Sequence, residues 1–151
     1  MIYIIDSSSL IDLFHIYPVN IFESLYTKFE SEIASGNILS PIQVKYELDK
    51  QDDEVKAWIK GKKIFRETDG DIFDLSTKIS NKYPNILRGK TGIVVDPYII
   101  ALAHSINGIN NVKIITGESK KKGHLPAVAR ECCNIDSVNL LEFFQEKEWK
   151  F

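Results

Sequence analysis

The strongest constraint on the fold is a recurring order in which a short apolar run is followed by helix-capping residues and then by an amphipathic segment. The first run is Ile2–Ile5, which leads directly into Asp6-Ser7-Ser8-Ser9. Short runs of β-branched residues that lack polar alternation are typical of strands buried on both faces of a parallel sheet. Because parallel strands need long crossover connections, which are usually helices, this order predicts alternating strands and helices.

The remaining elements are predicted from the same two patterns. Further strands are expected at Ile38-Leu39, at Val112–Ile115 and at residues 135–138. Helices are expected at residues 19–35, after Ser40-Pro41, at 55–59 and 71–79, from Asp96-Pro97 onward, at 126–133 and at Leu140–Glu146. Residues 83–92 contain Pro84 and two glycines and are predicted to form a loop. The expected fold is a three-layer α/β/α domain with a central, mainly parallel sheet, and residues 1–151 are expected to form a single domain.

Single residues predict several helix ends. Gly36 is expected to stop the helix at residues 19–35. Ser40 and Asp96 are each followed by proline, a pattern in which the first residue caps a helix and proline takes its first position. The helix at residues 19–35 carries an apolar residue at every fourth position, namely Ile21, Leu25, Phe29 and Ile33.

Composition excludes several classes of protein. The chain has 151 residues, of which 44% are hydrophobic, so it can bury a core. Its formal charge of −2 lacks the basic signature of many nucleic-acid-binding domains, although a bound divalent cation can reverse the sign of an acidic pocket. No apolar run approaches the roughly 20 residues of a membrane span, and the start does not resemble a signal peptide. The two cysteines, Cys132 and Cys133, are adjacent, which suits a cytoplasmic protein.

Acidic residues occur where a parallel α/β sheet binds its ligands. Such sheets bind ligands beyond the carboxyl ends of the strands. Asp6 and Glu118 follow predicted strands, Asp96 begins a predicted helix, and Glu47 lies in the helix after the second strand. Because magnesium prefers oxygen ligands, four acids converging on one edge would suit a hard divalent cation.

Each of these acids also has an ordinary structural interpretation. Asp6 and Asp96 are both good helix-capping residues, and for Asp96 taken singly the capping interpretation is the stronger one. Glu47 is compatible with a solvated helix face, and Glu118 with an exposed loop. Spacing alone leaves these alternatives open.

A family resemblance adds weight to the functional interpretation. The opening segment resembles that of a PIN domain, in which a short apolar strand ends in Asp and then Thr or Ser. Three later segments resemble the other PIN motifs, in the family's order: a helical Glu, an Asp that opens an alanine-bearing helix, and a strand that ends in Thr, one residue and an acid. The four segments are residues 2–11, 44–48, 94–103 and 114–118. The resemblance covers essentially the whole chain and is closest to toxin-like PIN proteins of the VapC type.

The resemblance implies a metal-dependent endoribonuclease that hydrolyses RNA to products with a 5′-phosphate and a 3′-hydroxyl. Ser7, Ser8 and Thr116 would support the site, although Ser8 stands where the family commonly has Asn. Glu118 stands where the family commonly has Asp, and its extra methylene would move the carboxylate. The residues implied to be catalytic and to bind Mg²⁺ or Mn²⁺ are Asp6, Glu47, Asp96 and Glu118.

The resemblance also implies partners. It suggests the toxin of a toxin–antitoxin pair, with an RNA substrate, an antitoxin-like protein inhibitor and a homodimeric state. Phe14, Tyr17 and Phe22 are the candidates for exposed interface residues. The alternative hypothesis is a catalytically weak PIN scaffold that binds RNA or a protein partner without cutting.

A basic segment directly follows Glu118. Lys120, Lys121 and Lys122 are predicted to contact RNA phosphates, with a solvated surface loop at residues 119–125 as the alternative. His124 is interpreted as an ordinary surface histidine rather than a general acid. Arg88 and Lys90, in the loop before Asp96, leave the same two interpretations open.

Three other families that place an Asp after the first strand fit less well. A haloacid-dehalogenase-like phosphatase needs a second Asp where this chain has Ser8. A von Willebrand-type adhesion site needs Asp-x-Ser-x-Ser, which Leu10 breaks. A receiver domain needs paired acids near its first strand, and that pattern is missing.

Overall fold

The computed structural model describes residues 1–87 and 92–151, and Arg88 and Lys90 lie outside these ranges. Its strands, all paired in parallel, form one central sheet. They are β1 (Ile2–Ile5), β2 (Ile38–Pro41), β3 (Phe65–Arg66), β4 (Val112–Ile115) and β5 (Asp136–Val138). The spatial order is β3-β2-β1-β4-β5, and helices flank the sheet. The prediction of an α/β fold with a mainly parallel sheet is therefore confirmed.

The helices occupy the connections between the strands, as the alternating pattern predicts, and the last helix follows β5. They are α1 (Ser7–Ile16), α2 (Glu23–Ala34), α3 (Ile42–Gln51), α4 (Asp53–Ile59), α5 (Gly70–Lys82), α6 (Asp96–Asn107), α7 (Leu125–Cys133) and α8 (Leu140–Glu146). Helix α6 packs against β1, β2 and β4 at the centre of the molecule. None of the helices in the described ranges is both long enough and apolar enough to cross a membrane.

The strand order reverses at β1. The chain runs from β1 outward through β2 and β3, and then returns to place β4 on the other side of β1. Ile2 to Ile5 pair in register with Val112 to Ile115, so the two strands end side by side. In open parallel sheets, the crevice beside such a reversal is where ligands bind. The topology therefore predicts a ligand site at the residues that follow Ile5 and Ile115.

The start of α3 differs from the prediction. Ser40 and Pro41 belong to β2, and the helix begins at Ile42. Ser40 does not cap it, because its hydroxyl donates a hydrogen bond to the carbonyl oxygen of Ile5 on β1, at 2.7 Å. The prediction also missed β3, whose two residues are too short to form a periodic pattern. It is recognised as a strand only because Phe65 and Arg66 pair with Ser40 and Pro41.

The helix predicted at residues 19–35 is shorter than expected. Helix α2 begins at Glu23, and Ile21 lies outside it with its side chain 70% exposed. The other apolar positions, Leu25, Phe29 and Ile33, are buried as predicted. The predicted stop is confirmed, because Gly36 has a φ of +76°, a conformation that glycine adopts without steric cost.

Within the predicted loop at residues 83–92, Pro84–Leu87 form one turn of 3₁₀ helix. Residues 88–91 lie outside the described ranges. The predicted helix at residues 71–79 extends to Lys82, and the helix predicted to begin at Pro126 begins one residue earlier. These differences at element ends leave the order of strands and helices unchanged.

An aromatic cluster between α1, α2, α4 and α8 shows that the expectation of exposed rings is wrong. Among the described residues, it consists of two groups of contacting rings, one formed by Phe14, Tyr26 and Trp58 and the other by Tyr3, Tyr17, Phe22, Phe29, Phe143, Phe144, Trp149 and Phe151. Phe14 is buried, with its ring centroid 5.0 Å from that of Tyr26 and 5.4 Å from that of Trp58. Tyr17 and Phe22 are half-buried and pack edge to face at 5.4 Å. Phe14 is therefore a core residue, because it lies on the face of α1 that packs inward. Tyr17 and Phe22 contribute to the same packing.

Candidate active site

The predicted acidic residues come together at the edge where β1 and β4 end. An open cavity of about 360 Å³ lies at this edge, between α1, α3, the start of α6 and the loop after β4. Side chains from several separate segments of the chain line it. Its acidic residues are Asp6, Asp12, Glu47, Asp96 and Glu118. The structure thus brings together all four predicted acids, with Ser7 and Ser8 beside them, and adds one acid that the sequence interpretation missed.

Asp6 is both a helix cap and part of the cavity wall. One carboxylate oxygen accepts hydrogen bonds from the Ser9 backbone N–H, at 2.8 Å, and from the Ser8 hydroxyl, at 2.9 Å. The other oxygen accepts one from the hydroxyl of Thr116 at the end of β4. Burial raises the pKa of Asp6 to about 6, although these hydrogen bonds lower it. The two interpretations of Asp6 are therefore compatible.

Asp96 does not cap its helix, contrary to the stronger single-residue interpretation. It is the first residue of α6, and Val95 occupies the cap position without a side-chain hydrogen bond to the helix. The carboxyl group of Asp96 faces the cavity instead. Burial, followed by the charge of Glu118 and a hydrogen bond with it, raises the pKa of Asp96 well above its usual range. Asp6 and Glu47 raise this pKa further, so the acids are close enough to repel one another.

Hydroxyl groups hold the remaining acids in place. Ser7, in the first turn of α1, donates a hydrogen bond to the carboxylate of Glu47 on α3. Thr116 accepts a hydrogen bond from the backbone N–H of Glu118, at 3.1 Å, while it donates to Asp6. Thr116 therefore links the ends of the two central strands. Ser7, Ser8 and Thr116 all contact predicted site acids, as expected of supporting residues.

Asp12 is the acid that the sequence interpretation missed. It lies one helical turn after Ser8 on α1, so a spacing of four residues places both side chains on the same face. The four-residue spacing between Ser8 and Asp12 was the feature of the sequence that could have identified Asp12 as a site residue. Across the cavity edge, a Cβ atom added at Gly117 would lie only 3.1 Å from a carboxylate oxygen of Asp12. The absence of a side chain at Gly117 therefore allows α1 and the loop after β4 to approach closely.

The donor chemistry of the cavity fits a hard cation. Its titratable side chains are carboxylates, and its other polar groups are hydroxyls and an amide, so it presents the oxygen ligands that Mg²⁺ and Mn²⁺ prefer. The positions of these side chains, however, do not form a complete metal site. Within the described residues, no group of three or more acidic, histidine or cysteine side chains is positioned to hold a metal ion directly. A cation would therefore need small side-chain rotations or ligating water molecules.

The structure separates the three lysines of the basic loop. Lys120 lines two cavities beside β5, one of which also contains Glu118 but not Asp96. Lys121 is exposed and is not among the residues that line the acidic cavity. Lys122 and His124 line a smaller cavity that also contains Asp96 and Glu118. His124 is exposed, as expected, with its ring Nδ1 3.3 Å from the hydroxyl of Ser119.

Comparisons with known proteins identify a family and a fold. Among solved structures, the chain is similar to one described as "Crystal structure of VapBC2 from Rickettsia felis bound to a DNA fragment from their promoter". The match has a TM-score of 0.55 and 13% sequence identity, and it covers 92% of this chain and 98% of the other. At this identity the similarity establishes the fold alone. No curated protein sequence is significantly similar to the chain. The family model described as "Domain of unknown function (DUF4411)" matches residues 3–151, and the chain therefore belongs to this family.

Proposed function

We propose that the protein is a metal-dependent endoribonuclease that hydrolyses RNA phosphodiester bonds with Mg²⁺ or Mn²⁺. The observation that carries this proposal is the convergence of Asp6, Glu47, Asp96 and Glu118, from four separate segments, on one cavity at the reversal point of the sheet. An acid whose pKa is raised by burial and by neighbouring carboxylates, as that of Asp96 is, destabilises the fold unless a cation or proton offsets its charge. Such clusters are more typical of functional sites than of structural ones.

The residues of the chain have distinct tasks in this proposal. Asp6, Glu47, Asp96 and Glu118 would hold the cation. Ser7 and Thr116 would orient the carboxylates of Glu47 and Asp6, to which they already donate hydrogen bonds. A divalent cation, when bound, supplies positive charge to the phosphodiester and lowers the pKa of water that attacks it. The carboxylates also offset the charge of the cation and accept protons released in hydrolysis.

The fold similarity to a chain of VapBC2 supports a role in a toxin–antitoxin pair. We propose that the protein is the toxin of a toxin–antitoxin pair, restrained by a protein antitoxin, and that it forms a homodimer. Since Phe14, Tyr17 and Phe22 belong to the aromatic cluster, they are poor candidates for the dimer contact. Size-exclusion chromatography with light scattering would test the homodimer, and a particle of 17.2 kDa would contradict it.

A second candidate function is an RNA- or protein-binding scaffold without nuclease activity. It is favoured by the arrangement of the carboxylates, since within the described residues none of their groupings is positioned to hold a metal ion directly. Ser8 and Glu118 also depart from the pattern common in PIN domains. The two candidates differ in whether the protein cleaves RNA when a divalent cation is present.

Cation binding and cleavage can be measured separately. In a thermal-unfolding assay without RNA, we expect Mn²⁺ to raise the melting temperature of the parent protein, because a ligand that binds only the folded state stabilises it. The protein should also cleave single-stranded RNA with Mg²⁺ or Mn²⁺, and a chelator should abolish cleavage. Stabilisation without cleavage would favour the scaffold. If Mn²⁺ neither stabilises the protein nor supports cleavage, the nuclease proposal is wrong.

A further inference from the structure

A second cavity, of about 250 Å³, adjoins the acidic one and differs from it in charge. The two share Asp96 and Glu118, which therefore face both. The far side of the second cavity is lined by Asn85, Lys122 and His124. These side chains offer a positive charge and hydrogen-bond donors, whereas the acidic cavity is lined mainly by acceptors.

A tight turn places Lys122 at this position. The backbone N–H of His124 donates to the carbonyl oxygen of Lys121, at 3.1 Å, which closes a four-residue turn with Lys122 second. Gly123, the third residue, has a φ of +86°, which favours glycine. A Cβ atom added at Gly123 would lie 3.6 Å from the side-chain nitrogen of Asn85. The turn therefore packs against the 3₁₀ helix Pro84–Leu87 and fixes one wall of the cavity.

The charge of Lys122 is available to a ligand. Within residues 1–87 and 92–151, no carboxylate lies within ion-pair distance of its ammonium group. By contrast, Lys113 and Lys147 are paired with Glu146 and Glu32. An anionic strand that approaches Asp96 and Glu118 is repelled by them, and the ammonium group of Lys122, which lines the same cavity, offsets that repulsion.

We propose that Asn85, Lys122 and His124 form a subsite for the phosphate next to the one that binds at the acidic cavity. This inference rests on the proposed function and narrows its substrate to a polynucleotide strand that crosses both cavities. Lys122 supplies charge and the ring of His124 supplies a hydrogen-bond donor, while Asn85 forms the wall against which the turn packs. Contacts with phosphates position a strand without reading its bases, so the subsite contributes affinity and not sequence preference. Lys120 and Lys121 lie outside this cavity, so the subsite assigns the phosphate contact to Lys122 among the three lysines predicted to bind RNA.

The test measures binding of a short single-stranded RNA of mixed sequence, by fluorescence anisotropy over a range of salt concentrations and with a chelator present to prevent cleavage. We expect Lys122→Ala to weaken binding roughly three- to tenfold at low salt and to reduce the slope of log affinity against log salt by about 0.7, the value for one phosphate contact on a single strand. Lys121→Ala, in the same turn, is the matched control and should keep the slope of the parent. Asn85→Asp, which adds a negative charge at the subsite, should also weaken binding.

Circular dichroism of each variant separates lost binding from lost folding. If Lys122→Ala and Lys121→Ala have the same effect, the loop contributes only general positive charge and the proposed subsite is wrong. This conclusion would hold even if the parent cleaves RNA. If Lys122→Ala alone reduces the slope while the parent fails to cleave with any metal, the subsite stands and the nuclease proposal falls. A parent protein that does not bind the RNA overturns the subsite together with the RNA-directed function.

Discussion

The aromatic cluster and the acidic cavity are both built from side chains of distant segments, but they contribute opposite terms to stability. In the cluster, Phe143 is fully buried and its ring lies 4.7 Å from Tyr3, 5.2 Å from Trp149 and 5.6 Å from Phe29. Such contacts between buried rings are favourable. In the cavity, burial raises the pKa of both Asp6 and Asp96, and neighbouring carboxylates raise the pKa of Asp96 further.

The contrast indicates which region serves folding and which serves function. A region that only stabilises the fold has no reason to gather buried acids, because apolar residues of the same size would cost less. The cavity keeps them at the sheet edge where ligands bind in this class of fold. Variants in the two regions should therefore separate stability from activity.

The largest expected effect is the loss of cleavage when a cavity acid is neutralised. Asp6→Asn and Asp96→Asn keep size and hydrogen-bonding capacity but remove the charge that would hold the cation. We expect each to reduce the rate of RNA cleavage by roughly 10²-fold or more, comparable with losing one charge-stabilising group at an active site. Initial rates at matched Mn²⁺ concentration measure this. Cleavage at the rate of the parent by both variants would assign the cavity to binding alone.

In the aromatic cluster, Phe143→Ala should lower stability and leave the cleavage rate of the folded protein unchanged. Removing a fully buried phenylalanine leaves a space that its neighbours fill only partly, so we expect the free energy of unfolding to fall by about 3–5 kcal/mol. Urea denaturation measures this. Below the temperature at which the variant begins to unfold, its cleavage rate per folded molecule should match that of the parent. A specific loss of cleavage in folded Phe143→Ala would mean that the two regions are coupled.

The pH dependence of the free energy of unfolding should show how much the ionised Asp96 carboxylate destabilises the metal-free protein. Because the pKa of Asp96 is raised in the folded protein, the folded state binds more protons than the unfolded chain, and its stability falls as pH rises from about 4 toward the folded-state pKa. Without metal, Asp96→Asn should therefore be more stable than the parent at pH 8 by at least about 1 kcal/mol, the free energy of one unit of pKa shift. The difference should shrink at pH 4. Thermal unfolding in a chelating buffer measures the stability difference at each pH. An equal difference at pH 4 and pH 8 would contradict a raised pKa of Asp96 in the folded protein.

The smallest expected effect concerns Gly117. A methyl group there would lie 3.1 Å from the Asp12 carboxylate and 3.7 Å from the Ser8 hydroxyl, so Asp12 must shift. We expect Gly117→Ala to lower the cleavage rate a few-fold, with a small change in stability. Gly108→Ala is the matched control, since a Cβ atom there meets nothing within 4 Å and its φ is −75°. The control should be neutral or stabilised by about 0.4–1 kcal/mol. Equal cleavage rates for the two variants would show that the position of Asp12 does not matter for activity.

The sequence by itself determined the alternation of strands and helices, apart from β3, and the identity of the cavity acids other than Asp12. Short buried strands and four-residue helical spacing are local properties, and they predicted β1, β4 and α8 with the observed ends. The capping signature predicted the role of Asp6 at the start of α1. The prediction failed where two residues form a strand only through their partner, as in β3, because such a segment has no periodicity of its own.

The tertiary structure decided which polar side chains share a space. Ser40 and Asp96 carry the same capping signature, yet Ser40 bonds to the neighbouring strand and Asp96 faces the cavity, since the sheet and Glu118 offer each a different partner. Likewise, only the turn at residues 121–124 distinguishes Lys122 from its neighbouring lysines. A sequence shows which groups can form a hydrogen bond or carry a charge. Which of several partners each group meets depends on contacts between residues far apart in the chain, because those contacts exist only once the strands have paired and the helices have packed.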